Sequence, residues 1–426
     1  MLELLRRNLR WQIIAIIFAG TVINYIARNS LGILAPDLEK HLHISTQHYS
    51  YVVGAFQAGY IIMLPVCGLV IDRFGLKFGY ALFATIWSLA NMLHAFAGGW
   101  LSLAIFRGVL GMSEAAVIPA GVKAATLWFP ARERAAAIGW VNVGTALGAV
   151  LAVPIVAGLA LKFDWRVAFI ATGALGLVWA LVWWRSYAAP DTHPRLTADE
   201  RAYINEGRGA EAGATPLSVT QALSMLGQPK FWVIAVPRFL AEPAWQTFSF
   251  WVPLYFVTVR HFELKQIALF AWLPFLCADL GGLCGGYISP LIARYAQVGL
   301  IRARVIGVAF AALLMIAPGF IGVVASPYVA IIFLCIGGFA HQTLSVLINT
   351  LTADCYPKEE VGTANGFVSQ AGWIGGLLFS LAIGRLADSI GYAPLFGALG
   401  VFDLIGALIL LLFIHHLIAA QEAQTA

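Results

Sequence analysis

The sequence predicts an all-α membrane protein with twelve transmembrane helices arranged as two six-helix halves. Three observations support this fold class: the composition, the spacing of the apolar runs, and an internal repeat. Of the 426 residues, 60% are hydrophobic and 11% are charged, and the mean hydropathy is +0.82. Soluble domains average about 45–50% apolar and about 25% charged residues. The composition therefore excludes an ordinary soluble domain.

Apolar runs bounded by glycine, proline or charged residues predict the helices in order, because each span needs about 20 apolar residues. In the first half these runs lie at about 12–33, 50–71, 78–98, 101–127, 135–160 and 167–184. In the second half they lie at about 231–257, 267–292, 305–324, 328–351, 363–384 and 393–417.

One long polar segment separates the two sets of apolar runs. The predicted domains are an N-terminal six-helix bundle (1–184), a linker (185–230) and a C-terminal six-helix bundle (231–426). Within the linker, Thr197 and Glu200 have the spacing of a capping box, which predicts a short surface helix.

Basic residues predict how the chain crosses the membrane. Lys and Arg concentrate at the N-terminus and in loops after even-numbered spans, as with Arg73, Arg185 and Arg294. The positive-inside rule then assigns both termini and the linker to the cytoplasm. The net charge of +5 is spread between apolar runs, so we predict no nucleic-acid partner. The first run continues past its basic start without a cleavage site, which predicts an uncleaved first span.

Several chemistries have no support in the sequence. We find no metal-ligand cluster, no nucleophile–base motif and no phosphate-binding loop, so we predict no enzyme activity, no metal and no cofactor. The five cysteines lie in or at the edge of apolar runs, which predicts free thiols rather than a disulfide framework.

An internal repeat relates the two halves. The stretch "WFPARERAAAIGWVNVGTALGA" matches "CYPKEEVGTANGFVSQAGWIGG" at a constant offset, since 357 − 130 = 227 for the prolines and 360 − 133 = 227 for the glutamates. The same offset aligns Gly111 with Gly338 and Gly148 with Gly375, and it sets Glu114 opposite His341. Parallel six-helix repeats are typical of transporters that rock one bundle against the other.

The loop "GLVIDRFGLKFG" between the second and third spans resembles the typical loop of the major facilitator superfamily. We expect Gly68 to permit close helix contact and Asp72 to cap or pair at the cytoplasmic mouth. The resemblance implies a gating role for the residues of this loop that match the motif, which are Gly68, Asp72, Arg73, Gly75 and Lys77. The alternative is that the loop charges only set topology. The equivalent place in the second half has Pro290 instead of the acid.

Longer segments resemble the bacterial hexuronate transporters of the anion:cation symporter family. They include "ISTQHYSYVVGAFQAGY", "SEAAVIPAGVKAATLWFPARER", "PRFLAEPAWQTF" and "YVAIIFLCIGGFAHQTLS", and the likeness extends over essentially the whole chain. The resemblance implies proton-coupled uptake of galacturonate and glucuronate across the cell inner membrane by a monomer. The alternatives are another sugar acid such as galactonate, another organic anion, or a membrane sensor or channel on the same fold.

Arg28, near the end of the first span, is the leading candidate for binding a carboxylate. Its planar, permanently charged fork suits bidentate binding, and a matching arginine occurs in the family. The alternative is that it snorkels to the headgroups. Asn24, one turn earlier, is a candidate for a sugar hydroxyl. Tyr60 matches a tyrosine that relatives have against the substrate.

Glu114 in the fourth span is the predicted proton carrier, because a buried acid is neutral when desolvated and ionised when a cation approaches. Arg107 lies seven residues earlier on the same face, and the alternative is a structural Arg107–Glu114 pair. Many family members have an aspartate where this chain has Ala27, so proton coupling must use other acids. Asp279 is the secondary candidate.

Arg238 and Glu242 in the seventh span are four residues apart and share a helix face. Either they form a fixed salt bridge or Arg238 joins the substrate site and Glu242 tunes it. Trp245 and Gln246 are candidates for stacking on the sugar and for binding its hydroxyls. Two prolines, Pro237 and Pro243, bracket this stretch and predict a helix break.

The remaining substrate candidates lie on the tenth and eleventh spans: His341, Gln342, Gln370 and Trp373. The alternative for His341 is a hydrogen-bonded structural role. Asp403, in the twelfth span, is assigned a structural role because that span is peripheral in the fold that the resemblance implies.

Overall fold

The computed structural model describes residues 8–204, 219–357 and 360–425, and these residues form helices joined by short turns. The chain divides into two compact units. One consists of Met1–Ile44 and Val52–Ala214, and the other of Ser45–Tyr51 and Thr215–Ala426. Residues 205–218 of the predicted linker lie outside the described residues.

The helices of the first half of the chain are α1 (Leu9–Leu42), α2 (Thr46–Phe74), α3 (Leu76–Leu93), α4 (Trp100–Glu114), α5 (Val117–Trp128), α6 (Ala131–Lys162), α7 (Trp165–Ser186) and α8 (Ala198–Ile204). Those of the second half are α9 (Val219–Ser224), α10 (Pro229–Phe250), α11 (Val252–Thr258), α12 (Leu264–Phe270), α13 (Leu273–Ala296), α14 (Leu300–Leu314), α15 (Pro327–Cys355), α16 (Val361–Ile390), α17 (Ala393–Leu412) and α18 (Ile414–Thr425).

Within the described residues, ten helical segments are long and apolar enough to cross a membrane. Helices α3 and α10 occupy the places of the third and seventh predicted spans. They fall outside those ten because polar residues lower their mean hydropathy. In α3 these residues include Lys77 and Asn91, and in α10 they include Arg238 and Glu242.

The first and fourth predicted spans differ from their predicted outlines. Helix α1 continues through Pro36 to Leu42, well beyond the predicted end. The prediction followed apolar residues only, whereas the last turns of this helix are polar. The fourth predicted span is interrupted at 115–116, directly after Glu114. Pro119 explains this interruption, since it has no N–H to donate to the carbonyl of Ala115.

The break predicted at the two prolines of the seventh span is wrong. Helix α10 runs continuously through Pro237 and Pro243 and ends at Phe250 instead. Pro243 removes the donor that the Phe239 carbonyl would otherwise receive. That carbonyl lies against Gly375 of α16, close enough to leave no room for a side chain there. The carbonyl that Pro243 leaves without its donor therefore faces the backbone of another helix.

Glycine contacts reveal the repeat within each unit. In the first unit, Gly148 of α6 packs on the Val22 carbonyl of α1, and in the second, Gly375 of α16 packs on the Phe239 carbonyl of α10. Likewise Gly111 lies against the Phe56 carbonyl of α2, and its repeat partner Gly338 lies against the Pro274 carbonyl of α13. Equivalent helix pairs are therefore joined by equivalent small residues.

Part of the linker docks on the first unit. The backbone N–H of Glu200 donates to the Thr197 hydroxyl at 3.3 Å, as the predicted capping box requires. The Glu200 carboxylate does not complete that box. It accepts hydrogen bonds from the first N–H groups of α1, those of Leu9 and Arg10, each at 3.1 Å. Glu200 therefore caps a different helix from its own.

Arg10 connects this cap to the first turn of α6. Its side chain pairs with Glu200 at 3.3 Å and with Glu133 at 3.2 Å, and it lies over the ring of Tyr203. The Tyr203 hydroxyl also donates to Glu133 at 2.6 Å. Helix α8 is thus fixed by a network that includes the starts of α1 and α6.

Candidate functional site

The centre of the first unit contains a buried ion pair between α1 and α4. Arg28 Nε lies 2.8 Å from Glu114 Oε2, and the Glu114 side chain is fully buried. The other carboxylate oxygen, Oε1, has no hydrogen-bond partner among the described residues. Arg28 therefore does not snorkel to the membrane surface in this structure, and the charges of two predicted site residues meet in the interior.

Aromatic rings surround the Arg28 guanidinium. Its carbon lies 4.4 Å from the ring centre of Tyr25, 5.0 Å from that of Tyr60 and 5.4 Å from that of Phe56. Such rings stabilise a cation in a poorly solvated place. One turn earlier on α1, Asn24 is fully buried, and neither of its amide atoms has a hydrogen-bond partner in the described part of the chain.

Arg107 contacts this pair through the backbone of Arg28. It is fully buried, donates a 2.6 Å hydrogen bond to the backbone carbonyl of Arg28, and lies over the Phe56 ring. The predicted Arg107–Glu114 relation thus takes a different form. Glu114 pairs with Arg28, and Arg107 adds positive charge within electrostatic range of that carboxylate. The interruption of the helix directly after Glu114 was not predicted.

The second unit contains its own buried ion pair. Arg238 and Glu242 are joined at 2.7 Å along α10, as their spacing predicts. Arg238 also donates to the hydroxyl of Ser345 on α15, and its Nε atom lies against Gly372 of α16. Sequence analysis missed Ser345, since an isolated serine in an apolar helix gives no signal of its partner.

Close to that pair lies a stack of two rings. The planes of Trp245 and His341 differ by 14°, with 5.6 Å between their centres, and Phe275 packs edge-on against the tryptophan. His341 is buried, and its Nδ1 atom has no hydrogen-bond partner among the described residues. Gln246 is buried one residue further and donates to Glu242 at 3.2 Å.

The ion pair and the ring stack occupy equivalent positions. Val22 and Phe239 are equivalent because their carbonyls face the repeated glycines, and six residues further along lie Arg28 (28 − 22 = 6) and Trp245 (245 − 239 = 6). Their partners, Glu114 and His341, are related by the repeat offset of 227. One scaffold position therefore holds a charged couple in one unit and an aromatic couple in the other.

Other predicted residues lie apart from these pairs. Gln342 packs its side chain against Gly282 of α13. Gln370 and Trp373 are half-buried on α16, on either side of the glycine that faces Arg238. Asp279 is half-buried on α13 and has no ion pair among the described residues.

The predicted loop between the second and third spans is largely helical, because α2 continues to Phe74 and α3 begins at Leu76, and it pairs within the first unit. Asp72 lies 2.8 Å from Lys123 of α5, and their side chains are 61% and 39% exposed. Gly75 has φ of +85°, a conformation that favours glycine. The close contact expected at Gly68 is absent, because a Cβ there would meet no heavy atom within 4 Å. Arg73 is exposed, and Lys77 lies over the ring of Trp184.

Two units built on the same helical repeat, each with a buried ion pair, are typical of a polytopic membrane transporter. The family model described as Major Facilitator Superfamily matches residues 17–321 and 290–424. The chain therefore belongs to the major facilitator superfamily.

Relatives narrow the comparison. The chain is 47% identical over 418 residues to the hexuronate transporter of Escherichia coli (strain K12), covering 98% of this chain and 97% of the relative. It is 48% identical over 325 residues to the galacturonate transporter of Dickeya chrysanthemi, covering 76% and 94%. The D-galactonate transporter of Escherichia coli O6:H1 is 27% identical, with 95% of each chain covered.

Solved structures support the fold. A bacterial homolog of the human lysosomal transporter Spinster, in an inward-facing and unoccupied conformation, has a TM-score of 0.72 at 17% identity, and 98% of each chain is covered. The inward-open xylose transporter XylE from E. coli has a TM-score of 0.70 at 14% identity, with 95% of this chain and 96% of that chain covered.

Proposed function

We propose that this protein carries hexuronates such as galacturonate and glucuronate across the bacterial inner membrane together with protons, by alternating access. The observation that carries the proposal is the buried Arg28–Glu114 pair. The names of the relatives at 47% and 48% identity support the substrate class.

Arg28 is the carboxylate-binding group in this proposal. Its Nε atom contacts Glu114 at 2.8 Å, which shows that the guanidinium can hold a carboxylate in this place, and its planar fork suits bidentate binding of one. The surrounding rings of Tyr25, Tyr60 and Phe56 limit hydration of the charge. Asn24, with both amide atoms unpartnered, is suited to a sugar hydroxyl.

Residues of the second unit are the candidates for binding the sugar ring. The half-buried face of Trp245, backed by His341, suits the C–H face of a pyranose, and the polar groups of Arg238, Gln342, Gln370 and Trp373 are candidates for its hydroxyls. In this proposal Gln246 acts indirectly, by holding Glu242.

Proton coupling follows from the charge balance at Glu114. A substrate carboxylate that takes over Arg28 leaves Glu114 as a buried anion without its partner. Breaking such a pair costs about 3–5 kcal/mol, so proton binding to Glu114 accompanies substrate binding. In the substrate-free state the positive charge of Arg107 helps to stabilise the ionised Glu114 carboxylate. Asp279 is a secondary proton site in this proposal. No aspartate at Ala27 is needed in this scheme.

The same proposal includes the arrangement in the membrane. The halves 1–184 and 231–426 act as a monomer, joined by the linker 185–230, with both termini in the cytoplasm. The loop Gly68–Lys77 gates the cytoplasmic side, where Asp72 holds Lys123 in one conformation and releases it in the other.

Uptake in proteoliposomes tests the carboxylate site. We expect Arg28→Lys, which keeps the charge but loses the fork, to lower uptake of labelled galacturonate strongly, and Arg28→Ala and Arg238→Ala to abolish it. Arg302→Ala is the control because Arg302 is exposed. Normal uptake by both alanine variants, or equal competition by glucose and glucuronate, would refute the carboxylate site.

The coupling role of Glu114 has a separate test. Glu114→Gln should lose uptake driven by an imposed pH gradient and keep exchange of external for internal substrate, because glutamine mimics the protonated acid. If uptake by this variant still follows the pH gradient, Glu114 is not the proton carrier.

A further inference from the structure

Asp403, at the middle of α17, is a buried acid that the proposed mechanism does not use. Its side chain is 2% exposed, and neither carboxylate oxygen has a hydrogen-bond partner among the described residues. An ionised carboxylate in such a place is costly unless it is paired and hydrogen-bonded. Burial and the missing donors therefore indicate a neutral carboxylic acid in this conformation.

The packing of α17 directs Asp403 toward the ion pair of α10. Gly406 lies three residues after Asp403 on the same face, and a Cβ there would stand 3.2 Å from the Cα of Pro237. Pro237 directly precedes Arg238, and Arg238 is the charged group in electrostatic range of Asp403. The α10–α17 contact thus brings a second acid near one arginine.

Other charged groups on the helices and turn that pack against α17 are engaged or exposed. Arg304 of α14 is paired with Asp354 at 2.9 Å. The turn Ala317–Phe320 contributes no titratable side chain. Lys230 of α10 donates to the Cys355 carbonyl at 2.9 Å. The others are exposed or lie near the chain end: Arg302 on α14, Arg385 and Asp388 on α16, and His415, His416 and Glu422 on α18.

We propose that Asp403 is a second proton-binding site, coupled through Arg238 to the sugar-acid site. Arg238, Glu242 and Asp403 together hold one positive charge and two acids, so one acid must be protonated for the group to be neutral. With Arg238 bound to Glu242 the proton resides on Asp403. When Arg238 turns toward a substrate carboxylate, Glu242 loses its partner and needs a proton of its own.

This inference depends on the proposed function only for the coupling step. The protonation of Asp403 itself is measured without substrate, by infrared spectroscopy of purified protein with ¹³C-labelled aspartate. We expect an isotope-sensitive carbonyl band of a protonated acid in the wild type. It should vanish in Asp403→Asn and also in Asp403→Glu, which keeps an acid but loses the label. Asp388→Asn, at an exposed aspartate of α16, is the matched control.

The coupling is measured as proton uptake from weakly buffered solution when galacturonate is added. Wild type should take up more protons per bound substrate than Glu242→Gln, with the difference approaching one proton, because Glu242 needs a proton once Arg238 turns away. Asp403→Asn should take up as many protons as wild type, because Asp403 is already protonated before substrate binds. Absence of the aspartate band, an unchanged proton count in Glu242→Gln, or a lower count in Asp403→Asn overturns the proposal. If wild type binds no hexuronate, the proposed function fails, while the infrared result still decides whether Asp403 is protonated.

Discussion

Replacing Glu200 with alanine should release helix α8 from the first unit. The Glu200 carboxylate accepts hydrogen bonds from the N–H groups of Leu9 and Arg10 and pairs with the Arg10 side chain. Loss of a side-chain cap costs about 1 kcal/mol, and loss of a negative charge at a helix N-terminus costs about 0.5 kcal/mol. The ion pair, little exposed on both sides, adds an amount within about 0.2–1 kcal/mol.

Together these effects amount to about 2 kcal/mol for the opening of the linker helix. Since each 1.4 kcal/mol is a factor of ten in an equilibrium constant, opening should become roughly 30-fold more favourable. Backbone amides exchange with solvent deuterium through such local openings. Hydrogen–deuterium exchange with mass spectrometry should therefore show roughly 30-fold faster exchange in peptides that cover Ala198–Ile204, while α10 keeps its wild-type rate.

A neighbouring acid separates docking from helix propensity. Asp199 lies in the same first turn of α8 but is exposed, and the structure gives it no ion pair among the described residues. Asp199→Ala removes a similar charge from the start of α8, so it should accelerate exchange only slightly. Equal acceleration in the two variants, or no change in Glu200→Ala, would refute the docking of α8 through Glu200.

Three further predictions concern helix packing, the end of α2, and the pH dependence of stability. Gly375→Ala should lower the free energy of unfolding by about 1–3 kcal/mol through its clash with the Phe239 carbonyl, which is seen as a lower thermal unfolding temperature. Gly366→Ala, where a side chain would enter open space, should leave that temperature unchanged. Asp72→Asn should change stability by less than about 1 kcal/mol because its ion pair is exposed, yet slow galacturonate uptake; unchanged uptake would leave the loop a topology signal only. Burial lowers the pKa of His193 in the linker, so the folded state favours the neutral imidazole. The stability that His193 contributes is therefore fully present above about pH 6.5 and is lost as the pH falls. The unfolding temperatures of wild type and His193→Gln should converge on acidification.

The sequence alone located most of the fold, because membrane spans are long apolar runs and the basic residues between them are distinctive. It also identified Arg28, Glu114, Arg238 and Glu242, since ionisable groups are rare in such runs and each costs free energy to bury. Their presence on apolar helices was sufficient to single them out. Which cation pairs with which acid depends on helix packing, and here the sequence was insufficient.

Other features could not be predicted because their cause lies in distant residues. The capping of α1 by Glu200 joins residues 190 positions apart, and the local pattern with Thr197 pointed to a different partner. The carbonyl that Pro243 leaves without its donor, that of Phe239, lies against Gly375 of another helix. Asp403 was assigned a structural role because its helix is peripheral, whereas the contact of Gly406 with Pro237 directs it toward Arg238.

The matching places of the Arg28–Glu114 and Trp245–His341 couples have an evolutionary consequence. A gene duplication that produced both halves would have supplied the same framework twice, after which each copy could acquire its own chemistry. In the proposed function, substitutions at the Arg28–Glu114 couple change the preference for the charge of the substrate, and substitutions at the Trp245–His341 couple change the preference for the shape of its ring. New cargo specificities could then arise by altering one half of the gene while the other half stays as it is.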